Sequence, residues 1–257
     1  MLQTKKRFWG KKPGFDFGDV LHIGVNSLFV AVIYATIEVW SLVSLAVVLV
    51  LLSKWRVLAV QPRFWLPNIK ANLVDLIVGI STVTLAYQAQ QGWVSIIWML
   101  LYLGWLLFVK PQTQEMWVGL QAFWAQFLGL IAVLMVATFV RQPLLVCAFV
   151  WLIAWATARH FFSNYEEPHY RSLGLIWGLL VSQAVWISLH WLQYYIVFDI
   201  KIATITLIIT VVATSLGSIY HAYKKESLHR GILIENTLFA TALIAVILGF
   251  SRWTPGL

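Results

Sequence analysis

The run MWVGLQAFWAQFLGLIAVLMVATFV, residues Met116–Val140, holds 25 residues without one charged side chain. A helix needs roughly 20 residues to cross a hydrocarbon core. Backbone amides in lipid must be paired within their own segment, so such a run is a helix. It is one of several. Reading outward from it, the sequence predicts further spans at about Pro143–Phe162, Ser172–Tyr195, Ile202–Tyr223 and Gly231–Phe250. Toward the N-terminus they lie at about Val20–Ile37, Val39–Ser53, Leu73–Tyr87 and Trp93–Val109. The first two form a hairpin turning near Glu38, which reads either as two crossings or as a re-entrant loop. Pro62 and Pro67 stop helices in the loop that follows, which leaves a short third span.

Composition agrees. The chain is 61% hydrophobic and 11% charged, with a mean hydropathy of +0.81. Soluble domains carry about 25% charged residues. So few charges cannot coat a water-facing surface. The expected fold is therefore an all-α integral membrane protein, a polytopic bundle of about nine helices. Residues 1–19 form a basic cytoplasmic segment, 20–251 the transmembrane domain and 252–257 a short external tail.

Orientation follows from the basic residues. With the N-terminus inside, Lys5, Lys6, Arg7, Lys11, Lys12, Lys54, Arg56, Arg63, Lys70, Lys110, Arg159, Arg171, Lys224, Lys225 and Arg230 fall on the cytoplasmic side. Only Arg141, Lys201 and Arg252 fall outside. Lys and Arg resist translocation, and a miscounted span would scramble the alternation. The bias thus supports both the count and the direction, with the C-terminus external. The expected location is a prokaryotic cytoplasmic membrane. The basic N-terminus followed by an apolar run resembles a signal peptide, but no small-residue cleavage site follows, so an uncleaved first helix is the better reading.

The net charge of +8 does not point to nucleic acid, because the cations are scattered over short loops rather than gathered on one face. The expected partners are the lipid bilayer and other membrane proteins or further copies of the chain. Cys147 is the one cysteine, so no intramolecular disulfide or CxxC site exists. Phosphate-loop, nucleophile-elbow and dinucleotide fingerprints are absent, and neither a cofactor nor a metal is expected. Trp40, Trp55, Trp65, Trp93, Trp117, Trp191 and Trp253 lie near span ends, as aromatic belts do. Trp98, Trp105, Trp151, Trp155 and Trp177 fall deeper and read as packing.

Two features rise above the apolar background. In the eighth span Thr206, Thr210, Thr214 and Ser218 recur every fourth residue and share a face. Such a stripe is either a packing seam or a hydroxyl-lined pathway, with the seam the ordinary case. In the seventh, Gly174 and Gly178 make a GxxxG that Ser182 extends, and Gln183 and His190 align on one face. Spans seven and eight are expected to pack through these faces.

The other feature is the loop from Arg159 to Arg171. His160, Glu166, Glu167 and His169 could serve a general acid–base step or hold a divalent metal, although the spacing fits no metal motif. Asp75, His221 and Glu235 sit at the same membrane level and would complete such a cluster. A solvated turn is the plainer reading. Three functions compete: small-solute or lipid handling along the hydroxyl stripe, a non-catalytic scaffold of a membrane complex, and a membrane enzyme using the 159–171 loop.

Overall fold

The computed structural model describes residues 17–55, 59–140, 142–191, 193–197 and 200–251. The N-terminal cations, Arg56, Arg141, Asp199, Arg252 and Trp253 lie outside the described residues, as does most of each terminal segment. Among the described residues there are nine α-helices, eight of them long and apolar enough to cross a membrane. They are α1 (Phe17–Glu38), α2 (Val43–Leu52), α3 (Trp65–Gln88), α4 (Gly92–Gly104), α5 (Glu115–Ala137), α6 (Pro143–Asn164), α7 (Tyr170–Ser188), α8 (Thr204–Lys224) and α9 (Arg230–Phe250). The chain is an all-α polytopic membrane bundle.

Three elements differ from the sequence reading. Helix α3 starts earlier than Leu73, with a 3₁₀ turn at Pro62–Phe64 leading into it. Pro67 lies in the first turn, where the missing amide hydrogen costs nothing and the ring fits. The short third span thereby becomes the longest, 27 residues from Pro62 to Gln88. Helix α2, in contrast, has only 10 residues. At about 1.5 Å per residue it covers half of a roughly 30 Å hydrocarbon core. The third difference is a small antiparallel hairpin between α7 and α8, with β1 (Tyr194–Val197) paired to β2 (Ile200–Ala203) in the register Tyr194↔Ala203. The aromatic and β-branched residues there favour strand, but their apolarity reads equally well as the end of a span.

Contacts at the two ends of the bundle agree with a chain that weaves back and forth. At one end Lys54 beyond α2 meets Asp75 of α3 and Lys110 beyond α4 is close by. Arg159 near the end of α6 donates to the Lys70 carbonyl in α3. Lys224 and Lys225 closing α8 reach Glu167 and Glu115. This is the basic end. At the other end Ser251 beyond α9 donates to Gln193 between α7 and α8 at 2.6 Å, and Tyr195 donates to the Ile247 carbonyl.

Helix α5 is the hub. Its Leu128 and Ile131 join a core with Ile33, Val50, Val78 and Tyr102 from α1 to α4. Its Leu130 and Leu134 join a second with Val150, Val181, Val185 and Ile209. Lipid tails are as apolar as leucine, so these contacts are held by close packing rather than by exclusion of water. Glycine permits the closest. A Cβ on Gly79 would lie 2.8 Å from both the Tyr102 hydroxyl and a Val50 methyl. Gly174 and Gly178 face the Trp155 and Trp151 carbonyls of α6, and Ser182 donates to the Cys147 carbonyl. The small-residue seam of α7 therefore packs on α6, not on α8. A flat stripe of Gly, Gly and Ser suits any neighbour with a groove, and α6 precedes α7 across a short turn. Helix α9 has no buried residue.

Candidate functional site

Asp75 is a carboxylate ten residues into a long apolar helix, and its side chain is only 11% exposed. An ion at such a place is retained only when paired. Lys54 reaches its Oδ2, and Lys110 approaches the same oxygen at 2.9 Å. Trp105 donates its indole N–H to Oδ1 at 2.8 Å. Local backbone geometry places these groups. Residues Trp105–Val109 form a π-helical turn, closed by the Lys110 amide bonding the Trp105 carbonyl at 2.9 Å. Such turns re-aim side chains and recur at functional sites.

The two lysines differ. Burial pushes the Lys54 ammonium below the ordinary lysine range, and the attraction of Asp75 does not make up for it. Burial acts on Lys110 too, but there the Asp75 charge, together with hydrogen bonds to Lys54 and Asp75, outweighs it and holds the ammonium above that range. Two lysines share one carboxylate, and with both protonated the cluster carries a surplus of one positive charge.

Beside it opens a cavity of about 430 Å³ whose wall includes Asn72, Asp75, Lys110, Gln121, His160 and Asn164. Gln121 is buried and donates to the Val109 and Gln112 carbonyls at 2.8 and 3.0 Å, which satisfies carbonyls left over where α4 ends. With its amide nitrogen so used, its oxygen is the acceptor for His160 Nε2 at 3.0 Å. The His160 Nε2 therefore carries a proton. Deeper in, Trp177 donates to the Gln126 oxygen at 2.8 Å, and the Thr157 hydroxyl, 3.2 Å from the same oxygen, lies closer to the Ile153 carbonyl of its own helix at 2.9 Å, so Trp177 is a polar tie as well as bulk.

A second cavity, about 280 Å³, is lined by Glu115, Asn164, Tyr165, Glu166, Lys224 and Lys225. Asn164 belongs to both cavity walls. Glu167 binds Lys224 at 2.7 Å and accepts from the Tyr220 hydroxyl at 2.6 Å. The Lys224 hydrogen bond, then that from Tyr220, holds the Glu167 carboxyl below the usual carboxylate range. Lys225 pairs with Glu115 at 2.7 Å. His221 Nδ1 bonds the Tyr165 hydroxyl at 2.8 Å.

The candidates read from the sequence are thus dispersed. Asp75 and His160 line one cavity, and Glu166 lines the other. Glu167 and His221 sit in the neighbouring ionic and aromatic cluster. His169 is exposed at the start of α7 and makes no capping bond, and Glu235 is exposed on α9. Among the described residues no group of three or more His, Cys, Asp or Glu is placed to hold a metal. On α8 the Thr210 and Thr214 hydroxyls turn back to the Thr206 and Thr210 carbonyls, each at 2.7 Å. Thr214 and Ser218 are exposed. Thr206 is fully buried, its hydroxyl without a partner among the described residues. Gln183 and His190 are exposed, and His190 bonds carbonyls of its own helix. Lys54, Lys110, Gln121 and Asn164 were not singled out from the sequence. The two lysines entered only as loop charges, and nothing in a helical period links them to Asp75.

Comparison with family models, with curated proteins and with solved structures yields no match.

Proposed function

We propose that the chain binds a small phosphate-bearing anion, free or as a lipid headgroup, in the cavity at the basic end, as part of solute or lipid handling in the bilayer. The observation that carries this reading is the pair of lysines on the single buried Asp75 carboxylate. The surplus charge needs a counter-ion, and Lys110, with its side chain 39% exposed, is the one that faces the opening. The cavity volume of about 430 Å³ falls within the roughly 300–1,000 Å³ of small-molecule sites. Amides around the opening supply neutral hydrogen-bonding groups. We also propose that this end faces the cytoplasm of a cell membrane, supported by the distribution of Lys and Arg between the loops.

The test is binding by the purified full chain in detergent. Inorganic phosphate and phosphatidylglycerol are titrated into wild type and Lys110→Gln. The variant should lose about tenfold in affinity, as expected for a hydrogen bond to a charged group. Equal affinities in the two proteins would refute the reading.

A scaffold role is favoured by one other observation: no residue of α9 is buried, and Glu235 is exposed on it without an ion pair among the described residues, where a carboxylate in a span is costly. Gentle extraction that yields partners with wild type and not with Glu235→Leu supports it; a solitary monomer from both would end it.

A further inference from the structure

The two cavities differ in charge balance. The first is walled by Asp75 and Lys110, with Lys54 on the same carboxylate, so two cations meet one anion. The second is lined by Glu115, Glu166, Lys224 and Lys225, and Glu167, beside it and outside the lining, adds a third carboxylate. Lys225 is taken by Glu115 and Lys224 by Glu167. Glu166 is the carboxylate left over, without an ion pair among the described residues. It is exposed, at a φ of 51°, on the turn that closes α6. One compartment therefore has a positive surplus and its neighbour a negative one.

Asn164 joins them, since it lines both walls. Its Nδ2 is buried and meets no acceptor among the described residues. A buried amide left unpaired is destabilising, and a phosphate oxygen lodged between the cavities would satisfy it.

We infer that the ligand is zwitterionic: a phosphate seated between Lys110 and Asn164, carrying an ammonium group that reaches into the second cavity toward Glu166. Phosphoethanolamine, free or as the headgroup of phosphatidylethanolamine, is the simplest compound of this kind. Lys224 and Lys225 repel the ammonium less than free cations would, because each is paired with a carboxylate. The inference rests on the anion-binding reading above and adds the second charge.

Four ligands separate the questions: phosphatidylethanolamine and phosphatidylglycerol with identical acyl chains, and soluble phosphoethanolamine and glycerol phosphate. Binding to the full chain in detergent is measured for wild type, Lys110→Gln and Glu166→Gln. Glu166→Asn serves as a second variant, since Asn tolerates positive φ well. Wild type should prefer the ethanolamine member of each pair. Both Glu166 variants should lose about three- to fivefold on that member alone, the size of a partly exposed ion pair, and Lys110→Gln should weaken all four. Preference within the lipid pair alone identifies a membrane ligand; preference in both pairs identifies the headgroup as sufficient. An ethanolamine-to-glycerol ratio unchanged by Glu166→Gln and Glu166→Asn, with Lys110→Gln still harmful, would overturn the zwitterion and leave the anion site standing. No effect of Lys110→Gln would overturn both.

Discussion

Lys54 and Lys110, from two different inter-helix segments, converge on one oxygen of Asp75, while Trp105 holds the other. The half-length α2 is thereby tied to α3 and to the end of α4 at the basic end. Lys54 reaches that end although α2 has only 10 residues.

Asp75→Asn removes the carboxylate that both Lys54 and Lys110 contact. Breaking a buried pair from one side costs about 3–5 kcal/mol, because the remaining charge is left uncompensated. Thermal unfolding in detergent, followed by helical circular dichroism, should show that loss. Adding Lys54→Met to Asp75→Asn should recover a good part of it. A variant as stable as wild type would mean that the cluster is solvated rather than buried.

The helical character and the position of most spans were legible because lipid imposes a single rule, an apolar helix about 20 residues long. The spans at Pro143 and Gly231 illustrate this, since their starts agree with α6 and α9 to within a residue. Pro67 was misread because proline stops a helix in its middle and not in its first turn. The site was largely hidden. Asp75 was visible as a carboxylate near a span end, but its partners are 21 and 35 residues away in the chain. Pairing across helices is decided by which faces meet, and periodicity within one helix does not report that. The hydroxyl stripe of α8 shows the converse, a regular pattern whose hydroxyls at Thr210 and Thr214 bond their own helix.

Gly79 is a packing requirement. An added methyl would lie 2.8 Å from the Tyr102 hydroxyl and from a Val50 methyl, so Gly79→Ala should cost about 1–3 kcal/mol as overpacking does. Gly104, in whose neighbourhood a Cβ meets nothing within 4 Å, is the control. Gly104→Ala should be neutral or stabilising by up to about 1 kcal/mol from helix propensity. Equal unfolding temperatures for the two variants would contradict the close approach of α3 and α4.

Gln126 accepts from the Trp177 indole on a neighbouring helix at 2.8 Å. Gln126→Leu leaves the Trp177 indole N–H without its acceptor. The expected cost is about 1–3 kcal/mol, and Trp177→Phe in the same chain should return part of it. A double-mutant cycle on unfolding measures the coupling; additive losses would rule the bond out.

Glu167 makes stability depend on pH. Its carboxyl titrates lower in the folded protein than in the unfolded chain. Its contribution is therefore complete above the unfolded value of about 4.3 and is lost as the pH falls through the lower folded value. Acidification from neutrality should leave wild type and Glu167→Gln parallel until that region, where wild type should decline more steeply. Parallel curves down to strongly acid pH would show that the Lys224 contact adds nothing.

The weave itself can be tested from both ends. Glu38 is exposed where α1 meets α2, and Ser227 is exposed where α8 meets α9. In a Cys147→Ser background, with the buried native thiol removed, Glu38→Cys and Ser227→Cys each offer one accessible thiol. If the basic end faces the cytoplasm, a membrane-impermeant maleimide applied to whole cells should label Cys at position 38 and spare position 227. Lysis should expose both. The positive-inside bias depends on this sidedness, and so does the supply of any cytoplasmic anion to the cavity beside Lys110. Labelling of position 227 in intact cells would reverse the bundle and put that cavity on the outer surface.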